Sequence, residues 1–228
     1  MTPGICNTPR WLAALVLACA ALFSGVAVAE DEPGFESLFD GKTLDGWRLV
    51  GKQGEGYVVK DGVIVCPATG GGNLFTEKEY SNFILRFEYR VSPGGNNGIG
   101  LRSAFEGNPA FDAMESQVLD DYAPQYAKLL PGQYHGSIYK VFAAKRGAPK
   151  KAGEWNTEEI VCDGPHIKVT VNGQLTVEGN INDVKDEAIL KEHPGLKRTT
   201  GHIGFLGHGT LVEFRNIRVK TLPDTAEK

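Results

Sequence analysis

Phe83-Ile84-Leu85-Arg86-Phe87-Glu88-Tyr89-Arg90-Val91 decides the fold class. Phe83, Leu85, Phe87, Tyr89 and Val91 recur at every second place, with Ile84, Arg86, Glu88 and Arg90 between them. A period of two belongs to a strand with one buried and one solvated face, whereas a helix repeats near 3.6. The alternation returns in Ile167, Val169 and Val171 against His166, Lys168 and Thr170. Asn172-Gly173 follows, a dipeptide that accepts positive φ at both turn centres and predicts a tight hairpin into Leu175-Thr176-Val177. Asp61-Gly62 reads the same way between Tyr57-Val58-Val59 and Val63-Ile64-Val65. Near the C-terminus Val212 and Phe214 lie on one parity and Ile217 and Val219 on the other, so a bulge near Asn216 is expected to return all four to one face.

Helical periodicity is scarce, and many short strands between turn residues predict an all-β fold, a sandwich of two antiparallel sheets. Two stretches break the rhythm. Ala104 to Gly136 carries Pro109, Pro124 and Pro131 and reads as a long loop with one short helical turn. Asn182 to Glu192 reads as a helical turn ended by His193-Pro194-Gly195. Long loops on a rigid sheet are where sites gather.

Residues 1–29 read as an export signal: Arg10, an uncharged run from Trp11 to Val28, and Ala27-Val28-Ala29 before Glu30-Asp31-Glu32. A retained anchor and a lipoprotein at Cys19 are weaker readings, because the small-x-small end suits a cut and Leu17 is bulky for a lipoprotein box. Removal leaves 228 − 29 = 199 residues, a single domain over 30–228 with no transmembrane segment, exported to the periplasm or beyond. With Arg10 gone its net charge is 23 − 28 = −5, which argues against nucleic acid and anionic membrane as partners and leaves neutral polyhydroxylated ligands open. Cys6 and Cys19 leave with the signal. Cys66 and Cys162 sit in apolar runs, where a disulfide and two buried thiols are equally expected, and neither has the flanking His or basic residue of a reactive thiol.

Four clusters and one histidine carry candidate chemistry. Asn97 and Arg102 stand among the apolar residues of Asn96-Asn97-Gly98-Ile99-Gly100-Leu101-Arg102; Arg102 suits a bidentate pair with sugar oxygens, or equally a structural pair with Glu115. In Glu115-Ser116-Gln117-Val118-Leu119-Asp120, Glu115 and Gln117 share a face if the segment is a strand, an arrangement suited to a sugar or a hard cation and also to an exposed edge. Tyr134-His135-Gly136-Ser137-Ile138-Tyr139 offers aromatic faces for sugar rings, with burial the first expectation for Tyr139. In Gly153-Glu154-Trp155-Asn156, Trp155 is expected in the core, and Asn156 either caps the turn or reaches the cleft. His208, between Gly207 and Gly209, has little packing to complete and is the one side chain in its turn that exchanges protons near neutral pH. No zinc spacing, His-Glu-x-x-His, Gly-x-Ser-x-Gly or phosphate loop is present.

Five elements in order resemble the 3-keto-disaccharide hydrolase family over about residues 35–222: Phe39-Asp40-Gly41-Lys42-Thr43-Leu44-Asp45-Gly46-Trp47, Asn97 to Arg102, Glu115-x-Gln117-x-x-Asp120, Gly153 to Asn156, and Phe214-Arg215-Asn216-Ile217. The resemblance implies a concanavalin A-like jelly roll of the lectin and glucanase kind. It also implies a carbohydrate substrate and an upstream sugar 3-dehydrogenase that makes the keto group. The implied reaction removes the proton at carbon 2 of a 3-keto-glycoside, expels the group on carbon 1 and adds water back. His208 or Glu115 would move the protons and Arg102 or a divalent cation would hold the enolate. Asn97, Gln117, Asp120, Tyr139 and Asn156 would contact the sugar, and Glu115, Asp120 and His208 are the residues a cation such as calcium would use. Where the family usually has a Gln-Asp pair before the His-Gly, this chain has Leu206 and Gly207. The alternative is a non-catalytic carbohydrate-binding module on the same fold; a structural envelope protein is a third reading.

Overall fold

In the computed structural model the described residues are Met1 and 32–223. The export signal read at 1–29, with Cys6 and Cys19, falls outside them apart from Met1. Thirteen strands are present among the described residues: β1 (Glu36–Ser37), β2 (Trp47–Gln53), β3 (Val58–Lys60), β4 (Val63–Cys66), β5 (Gly71–Tyr80), β6 (Phe83–Val91), β7 (Asn96–Ser103), β8 (Met114–Leu119), β9 (Asn156–Asp163), β10 (His166–Val171), β11 (Gln174–Asn180), β12 (Gly201–Leu206) and β13 (Val212–Thr221). They form two antiparallel sheets. One runs β11-β10-β9-β6-β13-β4-β3 with β1 beside β13, and the other runs β2-β5-β12-β7-β8. No helix among the described residues is long and apolar enough to cross a membrane.

The alternation in β6 is realised residue by residue, with Phe83, Leu85, Phe87, Tyr89 and Val91 buried and the residues between them half-exposed. Between the sheets Phe205 of β12 stacks on Phe214 of β13 at 4.0 Å and on Trp47 at 5.2 Å. The register of β13 against β6 shifts between Arg215 and Arg218, and Asn216 has φ 50°; the bulge returns Ile217 and Val219 to the core beside Val212 and Phe214. Asn172 and Gly173, at φ 48° and 76°, close the β10–β11 hairpin, and Asp61-Gly62 closes β3–β4 at 51° and 76°.

Two expectations change, and one open alternative is decided. Residues 104–136 are not one loop, since β8 pairs with β7 through six residues and forms the sheet's last strand. Trp155 is half-buried on the outer face, because Asn156, Glu158, Ile160 and Cys162 take the inward parity of β9; its ring lies 4.0 Å from the Arg215 guanidinium and 4.7 Å from that of Arg90. Cys66 and Cys162 are both buried and unpaired. Two strands separate β4 from β9, roughly 14 Å at ordinary strand spacing, and a disulfide needs Cα atoms within about 7 Å.

Candidate active site

The site rests on strand parity in β7 and β8. Ser116 and Val118 face the core, where the Ser116 hydroxyl donates to Glu158 Oε1 across the sandwich at 3.1 Å. Glu115 and Gln117 therefore share the outer face. In register opposite them stand Gly100 and Gly98. A Cβ on Gly98 would collide with the Glu115 carboxylate, and one on Gly100 would clash with the Ser103 hydroxyl at 2.6 Å and touch a Leu206 methyl at 3.4 Å. The two glycines thus let Glu115 and Leu206 lie down across β7 as a floor.

The turn after β12 brings His208 over this floor, with Nε2 at 3.9 Å from Glu115 Oε1. The two side chains differ in setting, His208 being 49% exposed and Glu115 5%. Glu115 Oε1 is buried with no hydrogen-bond partner. Buried polar atoms are nearly always paired, so an orphaned carboxylate oxygen calls for an explanation, and a catalytic role is one. A pocket of about 350 Å³ opens here. Asn73, Glu115, Leu206 and His208 line it from the sheet, and Asn108, Pro109 and Ala110 line it from the opposite wall.

The other expected site residues are placed elsewhere. Asn97 shares the inward parity of Ile99 and Leu101; its amide donates to the Tyr57 hydroxyl at 3.1 Å and its Oδ1 accepts from Gly98 N at 3.0 Å. Asp120 accepts from Gly94 N at 2.9 Å and Tyr122 N at 3.2 Å, and so fixes two turns. Asn156 caps, accepting from Lys150 N and Asn172 Nδ2, each at 2.8 Å. Tyr139 is half-buried, accepting from Gln133 Nε2 at 3.0 Å with its ring edge on Phe111. Gln117 is buried beside Glu115, with Oε1 unpartnered, under the 136–137 backbone that pairs with its own N–H and C=O. Arg102, 2% exposed at φ 54°, donates from Nε to Ser81 O at 2.8 Å and from Nη2 to Asn82 Oδ1 at 3.2 Å. Its fork is committed to that end of the sandwich; it neither pairs with Glu115 nor lines the pocket. A cation on Glu115, Asp120 and His208 does not fit, because the Asp120 oxygens are engaged with backbone N–H groups and no cluster of three His, Cys, Asp or Glu suited to a metal exists among the described residues.

The wall is held from behind. Asn108 caps the short helix α1 (Pro109–Asp112) by accepting from Ala110 N at 3.2 Å. Phe111 packs on Tyr139 and on His193, which follows α2 (Glu187–Glu192). His193 Nδ1 lies 3.1 Å from the Ala110 carbonyl, so Nδ1 carries the proton and donates, leaving Nε2 bare, buried and unpartnered. Burial lowers the His193 pKa below its usual 6.5, outweighing the Ala110 bond and the charge of Glu192; Lys140, ion-paired to Glu192 at 2.6 Å, lowers it further. The unfolded chain therefore binds the proton first. The contribution of His193 to stability is complete above the unfolded value of 6.5 and is lost below it, as pH falls through the lowered folded value. Urea unfolding from pH 8 to 5 should show that slope in the wild type and a shallower one in His193→Asn.

A second polar group lies inside the sandwich. His135 Nδ1 accepts from Leu119 N at 3.1 Å, so its proton sits on Nε2, which faces the Tyr89 hydroxyl at 2.8 Å and Glu158 Oε2 at 3.3 Å. Burial, then the charge of Glu158, pushes the Tyr89 phenol well above its ordinary pKa. The His135 and Glu158 side chains are fully buried, so this cluster braces the sheets and does not face the pocket.

The 3-keto-alpha-glucoside-1,2-lyase-like domain family matches residues 34–220. The chain belongs to that family. Its function is accordingly glycoside processing, and it is an enzyme of the 3-keto-disaccharide hydrolase type. The lyase-like domain is 30% identical to a 3-keto-disaccharide hydrolase of Bacteroides thetaiotaomicron, over 89% of this chain and 83% of that one. A candidate glycosyl hydrolase of Parabacteroides distasonis superposes with TM-score 0.71 at 27% identity, over 82% of this chain and 99% of its own. A galectin-like protein of Bacillus subtilis, at 12% identity and TM-score 0.54 over 82% and 94% of the two chains, shares the fold. The sandwich is thus the expected lectin-like jelly roll. Within the lyase-like domain the shared elements divide by role. Glu115 lies at the pocket with Gln117 buried beside it, whereas Trp155 and Arg215-Asn216 meet on the far face, where Asn216 bonds Glu88 and fixes the bulge. The opening element ends at Trp47, whose indole donates to Leu38 O at 2.7 Å.

Proposed function

We propose that this domain cleaves 3-keto-glycosides by elimination and rehydration. The observation that carries the reading is the buried, unpartnered Glu115 oxygen lying 3.9 Å from an exposed histidine at the pocket. A ketone at carbon 3 acidifies the hydrogen on carbon 2. Glu115 takes that proton, the electron pair forms the enolate, and the enolate expels the carbon 1 oxygen as His208 protonates it, leaving an enone. Water then adds at carbon 1, giving its proton to His208, while Glu115 returns one to carbon 2. The base is the group shielded from water, and the acid is the one that solvent can recharge. With Arg102 engaged elsewhere, the amides of Asn73 and Asn108 are the neutral donors in the lining for the enolate oxygen.

A binding module would present an aromatic platform, and no aromatic residue lines this pocket. The keto group has to come from a separate oxidation at carbon 3, and the reading of residues 1–29 puts the enzyme outside the cytoplasm. The test uses a 3-keto glucoside and its unoxidised parent, each with a chromogenic leaving group, in deuterium oxide. Release from the keto sugar alone, deuterium at carbon 2 of the product, and a loss of about 10²-fold or more in His208→Ala are expected. Equal release from the parent glucoside, or product without deuterium, would rule out the elimination route.

A further inference from the structure

The pocket's far wall is the short helix α1, which packs on β7 and β8 of the sheet that carries Glu115 and also on residues 194–197, just after His193. Ala110, which lines the pocket, is tied by its carbonyl to His193 Nδ1 at 3.1 Å, across 83 residues of sequence. Behind it Gly195 lies so close to the backbone of Asp112 and Ala113 that any Cβ there would overlap main-chain atoms. Phe111 fills the space between His193 and Tyr139, and Lys140 reaches over Phe111 while holding Glu192. The wall is a four-residue helix, too short to hold its own place. The buried His193 donor therefore makes the hydrogen bond that fixes Ala110 from behind, and His193 spends its only N–H on it.

We propose that His193 is a positioning residue for substrate binding: through Ala110 it sets the width of the pocket, while touching neither substrate nor Glu115. The inference rests on the pocket being the keto-glycoside site proposed above. A wall that contacts the sugar in ground state and transition state alike contributes uniform binding, so its displacement raises KM and leaves kcat in place. His193→Phe keeps the bulk and loses the donor. His193→Asn puts an amide N–H near the position of Nδ1. In His193→Phe, KM for the chromogenic 3-keto glucoside should rise about fivefold or more, the worth of one hydrogen bond, with kcat within about twofold. His193→Asn should return KM close to wild type, a rescue that a merely space-filling role would not give. If the Phe variant does not fold, His193→Ala removes the donor without adding bulk and takes its place.

Hydrogen exchange of residues 105–112 in the ligand-free protein tests the same device without any substrate. These amides should exchange faster in the Phe or Ala variant than in wild type and Asn, with β7 and β12 unchanged. An unaltered KM, an Asn variant as impaired as Phe, or unchanged exchange at 105–112 would overturn the assignment. Should the wild type turn over no 3-keto glycoside, the catalytic reading fails, and the exchange result still decides whether His193 holds the wall.

Discussion

Glu115→Gln is expected to lower kcat about 10³-fold on a 3-keto glycoside, the scale of losing a general base. Gln is isosteric and keeps an oxygen where Oε1 lies, so the floor over Gly98 is preserved and KM should hold within about threefold. The effect should be large because no group in the protein hydrogen-bonds Oε1: the side chain is 5% exposed, and His208 Nε2 stands 3.9 Å away. Exchange of the carbon 2 hydrogen with solvent should vanish along with turnover, which separates loss of the base from loss of the leaving-group acid. In His208→Ala, by contrast, exchange at carbon 2 should persist while leaving-group release slows. A Gln variant that keeps a tenth of wild-type kcat would remove Glu115 from the proton transfer.

Glu158→Ala is expected to cost about 2–4 kcal/mol of folding stability, from the cavity it leaves and the buried hydroxyl donor it deprives of a partner. Glu158 is fully buried, accepts from Ser116 of the opposite sheet and faces His135. Truncation strands the Ser116 hydroxyl and opens a cavity beside His135 in a space closed to water, while the His135 N–H keeps the Tyr89 hydroxyl. For a domain of this size the melting midpoint should fall by roughly 10 °C. Glu158→Gln, whose amide oxygen can still accept from Ser116 and whose bulk fills the same space, should lose less. Urea curves for the two variants measure the difference, and a loss below about 1 kcal/mol in Glu158→Ala would show that the cluster is not a brace.

The sandwich was legible because buried side chains must alternate along a strand, and that constraint is local. The Asn216 bulge could be placed from the parity of four apolar residues, and Glu115 with Gln117 from the same rule. Parity also held a signal that was passed over: Asn97 shares the phase of Ile99 and Leu101, so it belonged to the core. Arg102 was misleading for a different reason. A guanidinium suits a sugar or a backbone carbonyl equally well, and its residue type does not say which carbonyls the fold brings within reach. His193, Asn73 and Asn108 carried no local signal, since their meaning depends on a wall and a floor that come from separate parts of the chain. Trp155 reads as core by size alone, yet it lies on the outer parity of β9 between two arginines.

The two buried thiols, two strands apart in one sheet, have a bearing on what holds the chain together. Burial pushes the Cys162 thiol up to about 12 and raises that of Cys66, so neither offers the thiolate that exchange chemistry requires. Among the described residues no disulfide ties the sandwich, so a reductant has no covalent link there to break. The described sandwich is therefore held by packing and hydrogen bonds, and its two thiols are sealed by the same packing.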